Sequence, residues 1–300
     1  QLLTKDKKMI ARNTIAIAYD FDGTLAPGNM QEHKFIPELG IGNFEFWEEA
    51  NEKARKNDMD EILAYMELML EKAKECGIPI KKENFENYGK DITFFKGLDT
   101  YFDRINKYGK DRGMVIEHYI ISSGLREFVS GTKIAKHFTN IFASGFKYDE
   151  NNVAQWPALA INYTNKTQYL FRINKGIHNC YDNSVINKYM PDEERPVPFT
   201  NMIYIGDGET DVPAMKMIKY QKGTAIAVYN PKINKGRGSF WTPRQLCLDL
   251  ITQNRADYIA PANYEDGSEL DTIIKRLIDK LAAEYQLKKL KENIINNKSI

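Results

Sequence analysis

Short apolar runs alternate with helix-like stretches along most of this sequence, and the alternation restricts the fold more than any other feature. The runs are too short to be helices, and most are bounded by Gly, Asp, Ser or Asn, as strands commonly are. They comprise residues 14–19, 115–121, 141–143, 202–205 and 225–228, with 258–260 as a weaker sixth candidate. Helical patterns separate most of them, at residues 98–108, 125–136, 167–175 and 212–218. This order predicts an α/β fold built on a doubly wound, mainly parallel sheet.

Residues 43 to about 90 interrupt the alternation with successive helical patterns. In the second pattern, apolar residues recur with i, i+3, i+4 and i+7 spacing, which produces one apolar helix face. The residues on that face are Met59, Ile62, Leu63, Met66, Met69, Leu70 and Ala73. Such a face is more often packed against a core than used to bind a cofactor. We therefore expect a small α-helical domain at residues 29–92, inserted into a core domain formed by residues 1–28 and 93–300.

Two further segments have patterns of their own. Residues 146–156 predict a β-hairpin that turns at Asn151 and Asn152. Residues 270–300 predict an amphipathic helix that frays at 296–300. Docking of this helix on the core is favoured over pairing with a second subunit.

The net charge and the hydropathy pattern argue against several classes of partner. The formal net charge of +1 gives no reason to expect binding to nucleic acid or to an anionic membrane. No apolar stretch approaches the ~20 residues needed to span a bilayer, and the start has no signal-peptide pattern. The three cysteines, Cys76, Cys180 and Cys247, match no zinc or CxxC spacing, which is typical of free thiols in a reducing compartment. A cytoplasmic location is expected, and no protein partner is predicted.

Three of the predicted strands end in polar residues instead of ordinary turns. The run at 14–19 is followed by DFDGT at residues 20–24, the run at 115–121 by SSG at 122–124, and the run at 202–205 by GDGETD at 206–211. Each segment alone could be a turn or a helix cap. The carboxyl ends of parallel strands lie along one edge of the sheet, where open α/β folds bind ligands. The three segments together therefore predict one shared site.

Other interpretations of these segments fit less well. An EF-hand loop that began at Asp20 would need a glutamate at Gln31 and would not follow a buried strand. A dinucleotide-binding loop would need GxGxxG, and Asp207 and Asp211 would repel its pyrophosphate. The four histidines show no pairing suited to zinc. A DxD motif of the glycosyltransferase type would explain Asp20 and Asp22 but not the second acidic cluster.

The order of DxDGT, a hydrophobic run ending in SSG, a lysine and GDGxTD resembles the haloacid dehalogenase-like hydrolases, most closely the phosphoserine-phosphatase-like branch. The resemblance covers residues 14–227, and the helical insert lies where that family has its small C1 cap. Phosphoserine phosphatases usually have serine at the position of Gly23 and asparagine at that of Thr210, which puts phosphoserine in doubt as the substrate. Asp22 argues against a dehalogenase or a phosphonatase, which lack that acid.

The resemblance implies a role for each acidic residue. Asp20 would be the nucleophile that forms an aspartyl-phosphate, and Asp22 would be the general acid and base. The cofactor would be Mg²⁺, bound by Asp20, by Asp207 and by the backbone carbonyl of Asp22. Asp211 would reach the metal through water or fix a neighbouring lysine. Two carboxylates as close as Asp20 and Asp22 also split their proton affinities, which suits these different tasks.

The phosphate-binding groups implied by the resemblance come from two other segments. Ser122 and the backbone N–H of Ser123, expected at the start of a helix, would donate to phosphoryl oxygens. Gly124 would let the backbone come close to the phosphate. Lys166 would neutralise the nucleophile and the phosphate as a point charge, and Lys175 is the alternative lysine.

These residues predict a Mg²⁺-dependent phosphomonoester hydrolase acting on a small phosphorylated metabolite. A phosphomutase of sugar phosphates would use the same residues, and a non-catalytic module that binds a phosphorylated ligand is the third alternative. The sequence does not identify the substrate. The insert residues that could contact it are Phe44, Phe46, Trp47, Arg55 and Tyr65.

Overall fold

The computed structural model describes residues 12–233 and 242–297. Its strands are β1 (Thr14–Tyr19), β2 (Val115–Leu125), β3 (Asn140–Tyr148), β4 (Ala154–Leu159), β5 (Met202–Gly206), β6 (Thr224–Tyr229) and β7 (Tyr258–Pro261). Its helices are α1 (Phe35–Glu38), α2 (Asn43–Asn57), α3 (Glu61–Glu75), α4 (Lys82–Gly89), α5 (Leu98–Lys110), α6 (Arg126–Ser130), α7 (Lys166–Lys175), α8 (Asn183–Asn187), α9 (Val212–Tyr220), α10 (Pro243–Thr252) and α11 (Glu269–Asn297). The strands form one sheet in the order β4-β3-β2-β1-β5-β6-β7. Only the β3–β4 pair among them is antiparallel.

Strand β1 separates two apolar layers because successive side chains of a strand point to opposite faces of the sheet. Ile15, Ile17 and Tyr19 pack in the layer that contains α5, α11 and the inserted helices. Ala16 and Ala18 pack in the other layer, which contains α7, α9 and α10. Helices thus cover both faces of a mainly parallel sheet, which confirms the predicted doubly wound α/β fold.

Helices α2, α3 and α4 lie where the sequence predicts successive helices. Asp60 caps the start of α3, because its Oδ1 accepts a hydrogen bond from Ile62 N at 2.9 Å. On the predicted apolar face of this helix, Met66, Met69 and Ala73 are completely buried. The helical periodicity is confirmed, and the division into a core and a domain at residues 29–92 stays a prediction.

The hairpin at the sheet edge is confirmed, but the helix predicted at residues 125–136 is wrong in extent. Strand β2 continues to Leu125, and α6 ends at Ser130. A β-carbon at Gly131 would lie 1.7 Å from the main-chain oxygen of Glu86 in α4. The chain turns where it meets α4, and this packing outweighs the local helical pattern.

Helix α11 docks on the core through its first half. Leu270, Ile274 and Ile278 are completely buried against the sheet layer, whereas Leu287 and Leu290 are exposed. The predicted docking is confirmed for this first half. The helix continues to Asn297, and the last three residues of the predicted frayed end lie outside the described residues. None of the described helices is both long enough and apolar enough to cross a membrane.

A buried hydrogen-bond chain links β1, β2 and α5. The Tyr19 hydroxyl bonds to the Tyr101 hydroxyl and to His118 Nδ1, each at 2.9 Å. His118 Nε2 lies 2.9 Å from Asn106 Oδ1. Burial, with a smaller contribution from His137, lowers the pKa of His118 to about 3.

Acidification is therefore expected to destabilise the fold through His118. The folded protein keeps this imidazole neutral, whereas the unfolded chain protonates it below about pH 6.5. The unfolded state binds more protons between the two pKa values, so stability falls as the pH falls from about 6.5 towards 3. The loss is about 1.4 kcal/mol per pH unit, or roughly 2 kcal/mol between pH 6.5 and 5.

Urea unfolding of the wild type and of His118→Asn at several values between about pH 5 and 7 measures this effect. The free energy of unfolding of the variant should depend less steeply on pH. His178→Asn, at an exposed histidine, is the control and should keep the wild-type slope. Equal slopes for all three proteins would contradict the prediction.

Candidate active site

The first acidic pair lies in the loop that leaves β1. Asp20 N donates to the carbonyl oxygen of Ile205 in β5 at 2.9 Å, so Asp20 lies at the carboxyl ends of two central strands. Its Oδ1 accepts a hydrogen bond from Phe21 N at 2.7 Å. Asp22 Oδ1 accepts one from Met30 N at 2.8 Å. Main-chain donors therefore fix both carboxylates.

The loop after β5 brings further carboxylates to the first pair. The loops touch at Gly23, which has a φ of 73° and where a β-carbon would lie 1.9 Å from Asp207 Oδ2. Asp20, Asp207 and Asp211 each offer one carboxylate oxygen, and these atoms lie within 4.8 Å of one another. A donor set made of oxygen atoms suits a hard cation such as Mg²⁺.

Asp211 is completely buried and is not among the described residues that line the cavity at this site, and both of its oxygens bind groups of the protein. Its Oδ1 accepts hydrogen bonds from Lys166 Nζ at 2.8 Å and from the Tyr204 hydroxyl at 2.6 Å. Its Oδ2 accepts one from Asp207 N at 3.1 Å. Of the two roles expected for Asp211, these contacts favour that of fixing a lysine.

Of the two candidate lysines, Lys166 lies beside Asp20. Lys166 is the first residue of α7 and is only 1% exposed, and its Nζ is 2.9 Å from Asp20 Oδ2 and 2.8 Å from Asp211 Oδ1. The side chain of Lys175 instead donates to main-chain carbonyls, including that of Lys188 at 2.7 Å. The fold thus places a buried cation between two carboxylates.

Burial and the neighbouring charges shift the pKa values of these groups. Burial raises the pKa of Asp20 to about 6, although Lys166 acts in the opposite direction. Burial and the Asp20 carboxylate raise the pKa of Asp22 well above its ordinary value, and burial and Asp211 do the same for Asp207. Burial alone would lower the pKa of Lys166, but the Asp20 and Asp211 carboxylates raise it. The lysine is therefore charged, and the raised pKa favours the protonated form of Asp22.

The SSG segment lies at the end of β2, next to the acidic loops. Ser122 is completely buried, and its Oγ accepts a hydrogen bond from Gly124 N at 3.0 Å. The carbonyl oxygen of Ser123 accepts one from the Tyr65 hydroxyl of α3 at 2.7 Å. The expectation that Ser123 opens a helix is wrong, because β2 continues through this segment in an irregular register and α6 starts after it.

A cavity of about 640 Å³ opens at this edge of the sheet. The predicted site residues that line it are Asp20, Asp22, Ser122, Ser123, Gly124, Lys166 and Asp207. Of the five insert residues proposed to contact substrate, Trp47 and Tyr65 line the cavity. Phe46 is buried within the apolar core, and Phe44 is 79% exposed. Arg55 is not among the described residues that line it.

Three residues at the site lie outside the motifs of the sequence. Tyr204 binds Asp211, and its hydroxyl among the aliphatic residues of β5 is a signal that could have identified it. Glu61 and Tyr163 line the cavity together. They lie far apart in the chain and meet only in the fold, so no sequence pattern links them.

Comparisons with known proteins agree with this geometry. Residues 17–216 match the family model described as haloacid dehalogenase-like hydrolase. An uncharacterized protein of Borreliella burgdorferi is 29% identical over 286 residues, which cover 86% of this chain and 94% of that protein. A probable phosphoserine phosphatase from Vibrio cholerae is 14% identical with a TM-score of 0.54, covering 92% of this chain and 67% of that one. A phospho-aspartyl intermediate analogue of phosphoserine phosphatase is 16% identical with a TM-score of 0.51, covering 88% of this chain and 99% of that one. The likeness to these two structures is one of fold.

Proposed function

The chain belongs to the haloacid dehalogenase-like hydrolases, and from this premise we propose that it hydrolyses the phosphomonoester of a small phosphorylated metabolite. The observation that supports this most strongly is the position of Lys166 between Asp20 and Asp211, at a cavity that Ser122 also lines. Phosphoryl transfer to a carboxylate needs a fixed nucleophile, a positive charge beside it and donors for the phosphoryl oxygens. These side chains can supply each of them.

A divalent cation fits the carboxylate cluster. Asp20 and Asp207, with the main-chain carbonyl of Asp22, would hold Mg²⁺ through oxygen atoms alone. When bound, the ion supplies positive charge that offsets the repulsion between the nucleophile and a phosphate dianion. Asp211 is completely buried, is not among the described residues that line the cavity and accepts a hydrogen bond from Lys166, so we assign this residue to the positioning of Lys166.

The reaction would proceed in two steps. In the first, a carboxylate oxygen of Asp20 attacks phosphorus, the bond from phosphorus to the leaving oxygen breaks, and Asp22 gives that oxygen a proton. In the second, water attacks the phosphorus, Asp22 takes up the proton of the water, and the Asp20 carboxylate is released with inorganic phosphate. Burial and the Asp20 carboxylate raise the pKa of Asp22, which lets it hold the proton for the first step.

The groups around Asp20 would bind the phosphoryl oxygens. We assign this role to the Ser122 hydroxyl, to the backbone N–H of Ser123 and to the charged Lys166. One of the proteins with a similar fold is described as a phospho-aspartyl intermediate analogue. That description supports the same kind of intermediate on Asp20.

We further propose that residues 29–92 act as a cap over the site. The Tyr65 hydroxyl binds the carbonyl oxygen of Ser123, and Asp60 Oδ2 accepts a hydrogen bond from Asn162 Nδ2 at 2.9 Å. These contacts join the inserted helices to the end of β2 and to the segment that precedes α7. A cap in this position would exclude water and restrict the site to small substrates.

Removal of divalent cations tests the proposal. The protein should release phosphate from 4-nitrophenyl phosphate with Mg²⁺, should lose nearly all of this activity in EDTA, and should recover it when Mg²⁺ is added in excess. Phosphate and 4-nitrophenol are measured together, and Ca²⁺ serves as a control ion whose larger size should support less turnover. Lack of phosphate release from this ester and from a broad panel of phosphorylated metabolites would contradict the proposed function.

A further inference from the structure

Besides the phosphoryl-binding groups, aromatic and acidic side chains line the cavity. Glu61 comes from the start of α3, and Tyr163 from the segment that precedes Lys166. Trp47 and Tyr65 come from the inserted helices. The organic portion of a phosphomonoester bound at Asp20 would lie against these side chains.

Glu61 is held in place by its neighbour in the chain. One carboxylate oxygen of Asp60 caps α3, and the other accepts a hydrogen bond from Asn162. These bonds bring Glu61 beside the Tyr163 hydroxyl, and burial together with this carboxylate raises the pKa of Tyr163. The Lys166 and Asp20 charges also act on Tyr163, so this pair lies near the reacting groups.

Two aromatic rings form another wall. Trp47 and Tyr65 pack edge to face with their ring centroids 5.7 Å apart. The Tyr65 hydroxyl binds Ser123 O, and Trp47 Nε1 donates to Glu32 Oε1 at 2.8 Å. Both rings line the cavity, and aromatic rings attract cations.

A buried amide gives an independent sign that the cavity binds a ligand. Gln31 lines the cavity and is 1% exposed, yet its Oε1 has no hydrogen-bond partner in the described structure. Leaving a buried polar atom unpaired destabilises the folded protein, and a hydrogen bond from a ligand would offset that cost.

The charged side chains that line the cavity favour one kind of ligand. Among the described residues that line it, Lys166 is the only lysine or arginine, and its Nζ is already bound to Asp20 and Asp211. A negatively charged organic portion would find no free cation among these residues. A protonated amine could donate to Glu61 and contact the aromatic faces.

Building on the hydrolase function proposed above, we propose that the substrate is a phosphomonoester of an amino alcohol, with Glu61 binding its ammonium group. The class is defined by a positively charged amine and by the absence of a carboxylate. Glu61 would act as a specificity residue that contacts substrate away from the reacting atoms.

Pairs of substrates that differ only in having an amine or a hydroxyl group at one position test this inference. One pair is 2-aminoethyl phosphate and 2-hydroxyethyl phosphate, and a larger pair is glucosamine 6-phosphate and glucose 6-phosphate. In at least one pair, kcat/KM should favour the amine by about tenfold or more, as a charge-assisted hydrogen bond would give. O-phosphoserine, which adds a carboxylate to the smaller amine, should be a poorer substrate than 2-aminoethyl phosphate.

The variant Glu61→Gln should reduce the preference for the amine to within about threefold, and the ratio is measured within one protein so that a general loss of activity cancels. Glu48→Gln, at an exposed position of α2, is the matched control and should keep the wild-type ratio. If Glu61→Gln does not fold, the kcat/KM ratios of the wild type for the amine and hydroxyl substrates test the inference.

The possible failures can be told apart. If 4-nitrophenyl phosphate is hydrolysed but neither pair shows a preference for the amine, this inference is overturned and the hydrolase function stands. A higher kcat/KM for O-phosphoserine than for 2-aminoethyl phosphate would also overturn it. Absence of phosphate release from every ester would instead refute the proposed function.

Discussion

Asparagine in place of Asp20 is expected to reduce kcat for 4-nitrophenyl phosphate by at least about 10³-fold. The amide is a poor nucleophile, so the covalent step cannot take place, and no other described carboxylate at the site both touches Lys166 and lines the cavity. The substitution nearly preserves the shape of the side chain. Steady-state kinetics with saturating Mg²⁺ measures the effect.

The folded state of Asp20→Asn should be as stable as the wild type or more stable. Burial and the Asp211 carboxylate raise the pKa of Asp20, which means that its negative charge is held at a cost in the folded protein. Removing that charge leaves Lys166 paired with Asp211. A thermal unfolding curve with an unchanged or higher Tm, beside the loss of activity, would separate catalysis from folding.

Asp91→Asn provides the matched control for this experiment. Asp91 pairs with Lys34 at 2.8 Å on the surface, where such a pair contributes little. Its replacement should leave kcat within about twofold of the wild-type value. Turnover by Asp20→Asn at a rate close to that of this control would refute the assignment of the nucleophile.

The sequence predicts the main features of the site because they follow from strand geometry. DFDGT, SSG and GDGETD each follow a buried strand, and parallel pairing of β1 with β2 and β5 places their carboxyl ends side by side. Alternating apolar runs and helices likewise predict the doubly wound sheet. Both inferences depend on local patterns and on a general rule about parallel sheets.

What the sequence does not predict depends on contacts between distant segments. Helix α6 ends early because the chain at Gly131 meets the main chain of α4, and no local pattern in residues 125–136 reports that contact. The Glu61–Tyr163 pair forms where Asp60 binds Asn162, which is 102 residues further along the chain. Which of Lys166 and Lys175 lies beside Asp20 is seen only in the structure. The two lysines are the first and last residues of α7, and the sequence pattern allows either to be the lysine of the site.

The partners of Asp211 explain how its carboxylate can be completely buried. A completely buried carboxylate is costly unless it is paired and hydrogen-bonded, and Asp211 has Lys166, Tyr204 and the Asp207 amide as partners. This arrangement holds Lys166 Nζ at Asp20 without a water molecule between them. Lys166 therefore supports the fold and the chemistry at once.

Methionine in place of Lys166 is accordingly expected to lower both activity and stability. The substitution keeps an unbranched side chain of similar length but leaves Asp20 and Asp211 without their buried cation. Breaking a buried ion pair in this way costs about 3–5 kcal/mol. The Tm should fall by about 10 °C, measured by thermal unfolding, and turnover of 4-nitrophenyl phosphate should fall by at least about 10²-fold.

Two further variants identify the cause of these losses. Lys175→Met removes a lysine from the other end of α7 whose partners are main-chain carbonyls, so it should cost less than about 2 kcal/mol and leave activity nearly unchanged. The double variant Lys166→Met/Asp211→Asn removes the lysine and the charge of one of its two carboxylate partners. Because the charge of Asp211, the more deeply buried of the two carboxylates, is gone, the double variant should regain part of the lost Tm, whereas its activity should stay low because Asp20 still lacks the adjacent cation. Recovery of activity together with stability would show that Lys166 acts only through the fold.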